Sequence, residues 1–163
     1  MKELKISPIK DGTVLDHLSP GSAFDVLKVL DKKLWKTYGY TVDMAVNVQS
    51  SKYEKKDIIK VENVKLSEEQ LKYISLLAPN ATINYIENYE VVEKEKVKIP
   101  DVVTGILKCP NERCITNFRM KDGRKEPIDY KFIVTKKDYP IKLKCYYCER
   151  KISQEDIPKL LIR

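Results

Sequence analysis

Apolar and polar positions alternate along several short runs of this chain and change to a helical period in two others. KISPI (5–9) and TVLDHL (13–18) alternate on either side of KDG (10–12), which predicts two short strands or one bulged ribbon. Pro20 and Gly21 interrupt the pattern. In FDVLKVLDKKLW (24–35), Phe24, Leu27, Leu30, Leu34 and Trp35 recur at helical spacing, with Ser22 as candidate N-cap and Gly39 beyond the end. YTVDMAVNVQS (40–50) and IIKVEN (58–63) alternate again and predict strands, with SKYEKKD (51–57) as a polar loop between them. LSEEQLKYISLLAPN (66–80) is the clearest helix. Ser67 and Gln70 make a capping box, and Glu68 and Glu69 sit at the positive end of the dipole. Leu71, Ile74, Leu77 and Ala78 form its apolar stripe, and Pro79 stops it. ATINYIE (81–87) and YEVVEKEKV (89–97) read as two strands around Asn88.

The resulting order, β(β)αββαββ, predicts an α+β domain of ferredoxin-like type: an antiparallel sheet with two helices on one face. The other face is free for a ligand or a partner chain. KIPDVV (98–103) marks a boundary that divides residues 1–100 from residues 101–163. Beyond it come short β runs (NFRM, YKFIVT, IKLKCY) and turns at Asp122–Gly123 and Tyr139–Pro140. This second part predicts a small all-β domain with too few apolar residues to fold comfortably without a staple.

Charge sharpens the division. The net charge of +7 is carried mostly by residues 101–163, with 15 Lys+Arg against 9 Asp+Glu, whereas residues 1–100 are nearly balanced at 16 against 15. A basic second half suits nucleic acid or an acidic protein face, or is simply a solvated surface. No apolar run is long enough for a membrane helix, so no membrane association is expected. MKELKISPIKDG has no apolar h-region, which points to a reducing cytoplasm.

All four cysteines fall in the second half, as CPNERC (109–114) and CYYC (145–148). Cys109, Cys114, Cys145 and Cys148 thus form C-x4-C…x30…C-x2-C. Two short-spaced pairs in one β-rich module can each wrap one side of a tetrahedral ion, and Zn²⁺ suits four soft thiolates. Disulfides, free thiols and an iron–sulfur centre are the alternatives. A catalytic zinc keeps one position open for water, and four thiolates leave none. The expected role is therefore structural, with one ion folding residues 101–163. Tyr146 and Tyr147, between the last two cysteines, either stack on a ligand or pack the module.

The lone histidine, His17, follows Asp16. It reads more naturally as a hydrogen-bonding strand residue than as part of a triad, because no GxSxG, Walker-A loop or GxGxxG accompanies it. No catalytic constellation is expected. Asp16, His17, Lys60, Asn84 and Lys94 nevertheless fall on strands expected to be neighbours. Lysines there can meet phosphates, and a carboxylate can take ribose hydroxyls.

GTVLDH (12–17), KDIIKVEN (56–63), LSEEQ (66–70), LAPNATIN (77–84), NYEVVEK (88–94), CPNERCI (109–115) and LKCYYCE (143–149) together closely resemble the aspartate carbamoyltransferase regulatory chains. The match runs in order over almost the whole chain. The resemblance implies a non-catalytic regulatory subunit serving pyrimidine biosynthesis. Residues 1–100 would be an allosteric domain binding CTP or ATP, and residues 101–163 a zinc domain docking on the catalytic chain. Regulatory chains of the family pair as homodimers and bridge catalytic trimers. Carried over by matching strings, Asp16 and Lys60 would contact the ribose, with Lys60 also near the base. His17 and Lys94 would meet the triphosphate, and Asn84 the sugar or phosphates. The backbone at Ser7 and Ile9 would read the base edge, and Tyr89 and Val91 would continue the pocket. This chain departs from the family pattern at Pro8, which has no N–H to donate. Asn111 and Glu149 resemble catalytic-chain contacts, and Arg113, where many relatives have a small polar residue, is a departure that would alter the same interface. The alternative from another class is a zinc-ribbon nucleic-acid-binding protein, favoured only by the basic second half; the family resemblance implies no nucleic-acid partner.

Overall fold

The computed structural model describes residues 7–30, 40–125 and 127–162. The chain divides into two compact units, Met1–Lys98 and Ile99–Arg163. In the first, β1 (Gly12–Leu18) leads into α1 (Ser22–Val29), followed by β2 (Val42–Gln49), β3 (Lys55–Glu62), α2 (Glu68–Leu77), β4 (Thr82–Glu87) and β5 (Glu90–Lys96). The five strands form one antiparallel sheet in the order β2-β3-β1-β4-β5. This is the α+β architecture expected from the alternation of periods.

The pleat separates two faces. Thr13, Leu15, Ile59, Val61, Ile83 and Tyr85 point to one side and are buried. That is the helix side: α1 packs on β3 and on α2, burying Ala23 and Val26, while α2 buries Ile74 and Leu77. Burial of a Leu or Ile side chain is worth about 1.5–3 kcal/mol, so this layer supplies most of the unit's stability. The intervening positions 14, 16, 60, 84 and 86 point the other way and remain half-buried.

Local chemistry sets the ends of the helices. The capping box of α2 is present: the Gln70 N–H donates to Ser67 Oγ and the Ser67 N–H to Gln70 Oε1. Helix α1 departs from expectation, because Ser22 is its first residue rather than its cap. Gly21 takes the cap position at φ 87° with no capping side chain of its own. The capping acceptor comes instead from a distant strand. The fully buried Asp57 accepts the N–H of Gly21 at 2.7 Å, of Ala23 at 3.1 Å and of Asn47 at 2.8 Å. An ionised carboxylate at a helix N-terminus is favourable, and three charge-assisted bonds offset much of its desolvation.

KISPI does not form a strand over residues 7–9, while Lys5 and Ile6 lie outside the described residues. Pro8, which lacks an N–H, is a poor ladder residue. The end of the first helical run, residues 31–35, and Gly39 also lie outside the described residues. The polar loop is shorter than expected, because β3 begins at Lys55. Gly12 is needed where it stands: at φ 144° an added Cβ would lie 2.2 Å from the Val61 carbonyl oxygen.

The second unit is a four-stranded antiparallel sheet in sequential order: β6 (Val102–Thr104), β7 (Lys131–Lys136), β8 (Lys142–Cys145) and β9 (Lys151–Ser153). A short α3 (Ile157–Leu160) follows a 3₁₀ turn. Val103, Phe132, Val134, Leu143, Cys145 and Ile152 bury one face. NFRM is not a strand. Ile115–Asn117 is a 3₁₀ turn, and Arg119 makes only an isolated bridge to Lys125 around the Asp122–Gly123 turn. The strand inside KIPDVV, β9 and α3 carry too few residues for any periodicity to show.

Candidate functional site

The polar face of the first sheet collects side chains that are far apart in sequence. Cross-strand partners on antiparallel strands point to the same face. The register aligns Asp43 with Lys60, Lys60 with Val14, Val14 with Asn84, and Asn84 with Lys94. One row thus crosses all five strands, reading Asp43–Lys60–Val14–Asn84–Lys94. One pleat further along β1, Asp16 is aligned with Thr82. Lys60, Asn84, Lys94 and Asp16 therefore share one surface, away from the helices.

Two bulges shape its far end. Between Leu15 and Leu18 strand β1 carries an extra residue against β3, and His17 takes φ 57°. Strand β2 does the same between Ala45 and Val48, with Asn47 at φ 58°. Both bulges flank Asp57 on β3, whose carboxylate holds the Asn47 N–H. Bulges re-aim side chains. Here His17 pairs Nδ1 with Thr82 Oγ1 at 3.0 Å, and its backbone N–H donates to Asp16 Oδ1 at 2.6 Å. Asp16 also holds the Lys56 ammonium at 2.9 Å. Burial pushes the His17 pKa below its ordinary 6.5; Asp16 opposes this, while Lys56, Lys52 and Lys94 reinforce it. His17 is consequently a neutral imidazole at neutral pH, ringed by ammonium groups. Burial also lowers the Lys60 pKa, against the pull of Asp43 and Asp16. A partly desolvated ammonium gains more from an incoming anion than a fully hydrated one.

At the other end of the face, the Lys60 ammonium donates to the Ser7 carbonyl at 3.0 Å, tying the N-terminal segment to the row. The Tyr89 N–H donates to the Lys10 carbonyl at 2.9 Å, so the β4–β5 hairpin closes over the same segment. Tyr89 and Val91 are exposed, Val91 lying opposite Ile86 on the polar face. The side chain of Ile9 is buried. Pro8, Lys10, Asp11, Glu62, Asn63 and Tyr89 line a cavity of about 220 Å³. Alternation alone does not reveal Asp43, Lys56, Lys52, Tyr53 and Thr82, which complete the surroundings of this surface. They depend on register and on the two bulges.

The second unit carries a different centre. Cys109, Cys114, Cys145 and Cys148 bring their sulfurs within 4.8 Å of one another. Cys109 and Cys148 lie 3.6 Å apart and Cys114 and Cys145 3.8 Å. Disulfide sulfurs lie about 2.05 Å apart, so these are not disulfides. Four thiolates at about 2.3 Å from a tetrahedral Zn²⁺ would be about 3.8 Å from each other. The sulfur cage therefore fits one zinc ion with no position left for water.

Its support is built from backbone and amide groups. Asn117 Nδ2 donates to the carbonyls of Cys109 and Asn111, and Tyr130 Oη donates to Asn117 Oδ1. The Thr116 hydroxyl, fully buried, donates to Cys114 Sγ at 3.0 Å. Glu149 adopts φ 62° just after Cys148, returning the chain into β9. Burial and the crowding of neighbouring thiols push the Cys109 and Cys145 pKa values up, although backbone N–H groups oppose this. At Cys148 burial is outweighed by hydrogen bonds from the Asn111 side chain, the Arg150 N–H and the neighbouring cysteines, bringing its pKa down to about 7. Of the three residues expected at a partner interface, Arg113 and Glu149 are exposed. Asn111 is committed to the metal loop, where its Oδ1 also accepts the Arg113 N–H at 3.0 Å.

Comparison with known proteins gives both units a counterpart. Residues 4–98 match the family model described as aspartate carbamoyltransferase regulatory chain, allosteric domain. Residues 101–158 match that of the same chain's metal binding domain. The aspartate carbamoyltransferase regulatory chain of Ignicoccus hospitalis is 51% identical over 158 residues, covering 96% of each chain. That of Pyrococcus abyssi is 49% identical over 158 residues, and that of Archaeoglobus fulgidus 47% over 156, each covering 96% of this chain and 97% of the relative.

Proposed function

This chain belongs to the family of aspartate carbamoyltransferase regulatory chains, and from that premise we propose that it senses CTP and ATP with residues 1–100 and docks on the catalytic chain through residues 101–163. The effectors bind at the polar face of the first sheet. Lys60 and Asp16 hold the ribose, with Lys60 reaching toward the base from its seat on the Ser7 carbonyl. The backbone at Ser7 and Ile9 flanks the base, and Tyr89 and Val91 close the pocket. Asn84 contacts the sugar or phosphates, and Lys94 and His17 receive the phosphates. The observation that carries this reading is the row Asp43–Lys60–Val14–Asn84–Lys94, which places two lysines and an amide on one face opposite the helices.

The zinc folds residues 101–163 and performs no chemistry, because four thiolates saturate it. The folded module offers Arg113 and Glu149 to the catalytic chain, and Asn111 holds the loop that presents Arg113. Two regulatory chains pair through their N-terminal units and so link catalytic trimers. A nucleotide then shifts the assembly only by its differential affinity for two states of that pair, since a ligand that binds both equally shifts nothing. The chain's own residues supply binding and positioning, and the transfer reaction belongs to the catalytic chain.

Calorimetric titration of the zinc-loaded chain with CTP, then with ATP in competition, tests the site. One saturable, mutually exclusive site is expected. Lys60→Ala removes a charge-assisted contact and should weaken both nucleotides about tenfold or more, while the fold and zinc content persist. Independent sites for the two nucleotides, or unchanged affinity in the variant, would contradict the assignment.

A further inference from the structure

The outer face of the second sheet is rich in lysine. Phe132, Val134, Leu143 and Ile152 are buried on the inner face, so the residues between them point outward. One outward row crosses all four strands and reads Val102–Ile133–Lys144–Lys151. The next reads Lys136–Lys142–Ser153, because a bulge after Val134 turns Lys136 to this side. At the other end Lys131 stands over Tyr146, its ammonium 4.1 Å from the ring centroid. The Tyr146 ring is exposed and meets the Tyr147 ring edge-on at 5.1 Å.

These charges are unbalanced within the chain. Lys144 lies directly opposite Lys151, and Lys136 directly opposite Lys142. Like charges placed so destabilise a sheet. None of the four strands contains an acidic residue. Among the described residues, no carboxylate stands within ion-pair distance of any of the five lysines. An anion lying across the rows relieves the repulsion.

The type of cation narrows the partner. Protein interfaces are enriched in arginine and depleted in lysine, and the guanidinium fork matches carboxylates. The described arginines of this unit lie elsewhere: Arg113 and Arg150 at the metal loops, Arg119 and Arg124 at the Asp122–Gly123 turn. Lysines meet phosphates as point charges. Lys142 and Lys144 are about 6.8 Å apart along their strand, and neighbouring strands about 4.8 Å apart, so one chain of phosphates meets several lysines at once. Between the lysines the surface is apolar, with Ile133 half-buried and Val102 exposed. Open four-stranded sheets with such surfaces carry unstacked bases.

We propose that this face is a docking surface for single-stranded nucleic acid: the five lysines hold its phosphates, and Val102, Ile133 and Tyr146 carry its bases. The inference is independent of the nucleotide reading of the first unit and adds a partner that the family resemblance does not imply.

The test is fluorescence anisotropy of a labelled single-stranded RNA of about 12 nucleotides with the full zinc-loaded chain, between about 50 and 200 mM salt. Saturable binding is expected, with log affinity falling against log salt at a slope of about −3.5 for five phosphates. Lys144→Gln combined with Lys151→Gln should weaken binding about tenfold or more and reduce the slope by about 1.4. Lys121→Gln combined with Lys159→Gln removes the same charge from exposed positions off the face and should change little. Lys151→Glu replaces a like-charge pair by an opposite one. It should unfold at the same temperature or higher and still lose binding, which separates the face from damage to the fold. Lys60→Ala should bind the RNA as the natural chain does, which separates this face from the nucleotide reading. Equal losses in the two double variants would reduce the effect to net charge and overturn the proposal. So would a natural chain that fails to bind RNA; loss of association with catalytic trimers in Lys151→Glu would then assign the lysines to a protein interface.

Discussion

Two side chains carry the chemistry of the N-terminal unit furthest, and both depend on local departures from regular structure. His17 stands on a bulge, and burial with its lysine neighbours holds its pKa below 6.5. The fold therefore prefers the neutral ring. That preference contributes stability above pH 6.5, and the contribution is lost as pH falls through the lowered folded value. A phosphate brought beside the ring reverses the preference, because it favours imidazolium. CTP binding should then take up a proton at His17, and affinity should rise as pH falls from about 8 toward about 6. Titrations in buffers of different ionisation heat count that proton. The count should drop in His17→Asn, and an identical count in both proteins would place His17 away from the phosphates. Asp57 acts differently, through the backbone it holds. Replacing it by Ala leaves the N–H groups of Gly21, Ala23 and Asn47 without their acceptor and should cost about 3 kcal/mol in urea unfolding. The lysines and Asn84 were legible in the sequence as polar residues on strands. Asp57 was not, because nothing in KKDIIK distinguishes a buried capping carboxylate from a solvated one.

Elements were legible where a period lasts long enough. The helix at 68–77 was legible from its capping box and from Ile74, Leu77 and Ala78 of its stripe, although Leu71 is only half-buried and Ser75 and Leu76 are buried without having been expected; β4 and β5 were legible from alternation about Asn88. The bulges were not legible. A bulge slips the alternation by one residue, as in β1 where the buried positions run Thr13, Leu15, Leu18, and in so short a run that slip does not stand out; the site at His17 is made by two such bulges. The short elements of the second unit escaped for another reason. Val102–Thr104 and Lys151–Ser153 have three residues each and owe their existence to pairing with β7 and β8. NFRM failed as a strand because the metal loop captures Asn117 for the Cys109 and Asn111 carbonyls. At this scale the metal replaces a core. Structural zinc contributes about 10–16 kcal/mol in small peptides, and that binding energy becomes folding energy. Cys114→Ala should therefore unfold residues 99–163, seen as loss of their amide dispersion by NMR, and leave the helices of residues 1–98 intact. Persistence of the native spectrum of residues 99–163 together with full zinc content would contradict a folding role for the ion.

Across the whole molecule the account is a division of labour between a sheet face that senses and a metal-folded module that docks. The basic excess in residues 101–163 is reduced once four thiolates and one Zn²⁺ are counted, since that centre is formally −2. What remains suits an acidic protein surface or a solvated one, and the family implies a protein partner. The cysteine spacing made the metal site legible from sequence, and the family strings made the family legible. The most direct test is sedimentation of zinc-stripped chain mixed with catalytic trimers and labelled CTP. The account predicts that label travels with the regulatory chain while that chain no longer travels with the trimers, and that restoring zinc joins all three. Zinc-free chain that still sediments with the trimers, or that loses its CTP together with its zinc, would contradict the separation of sensing from docking.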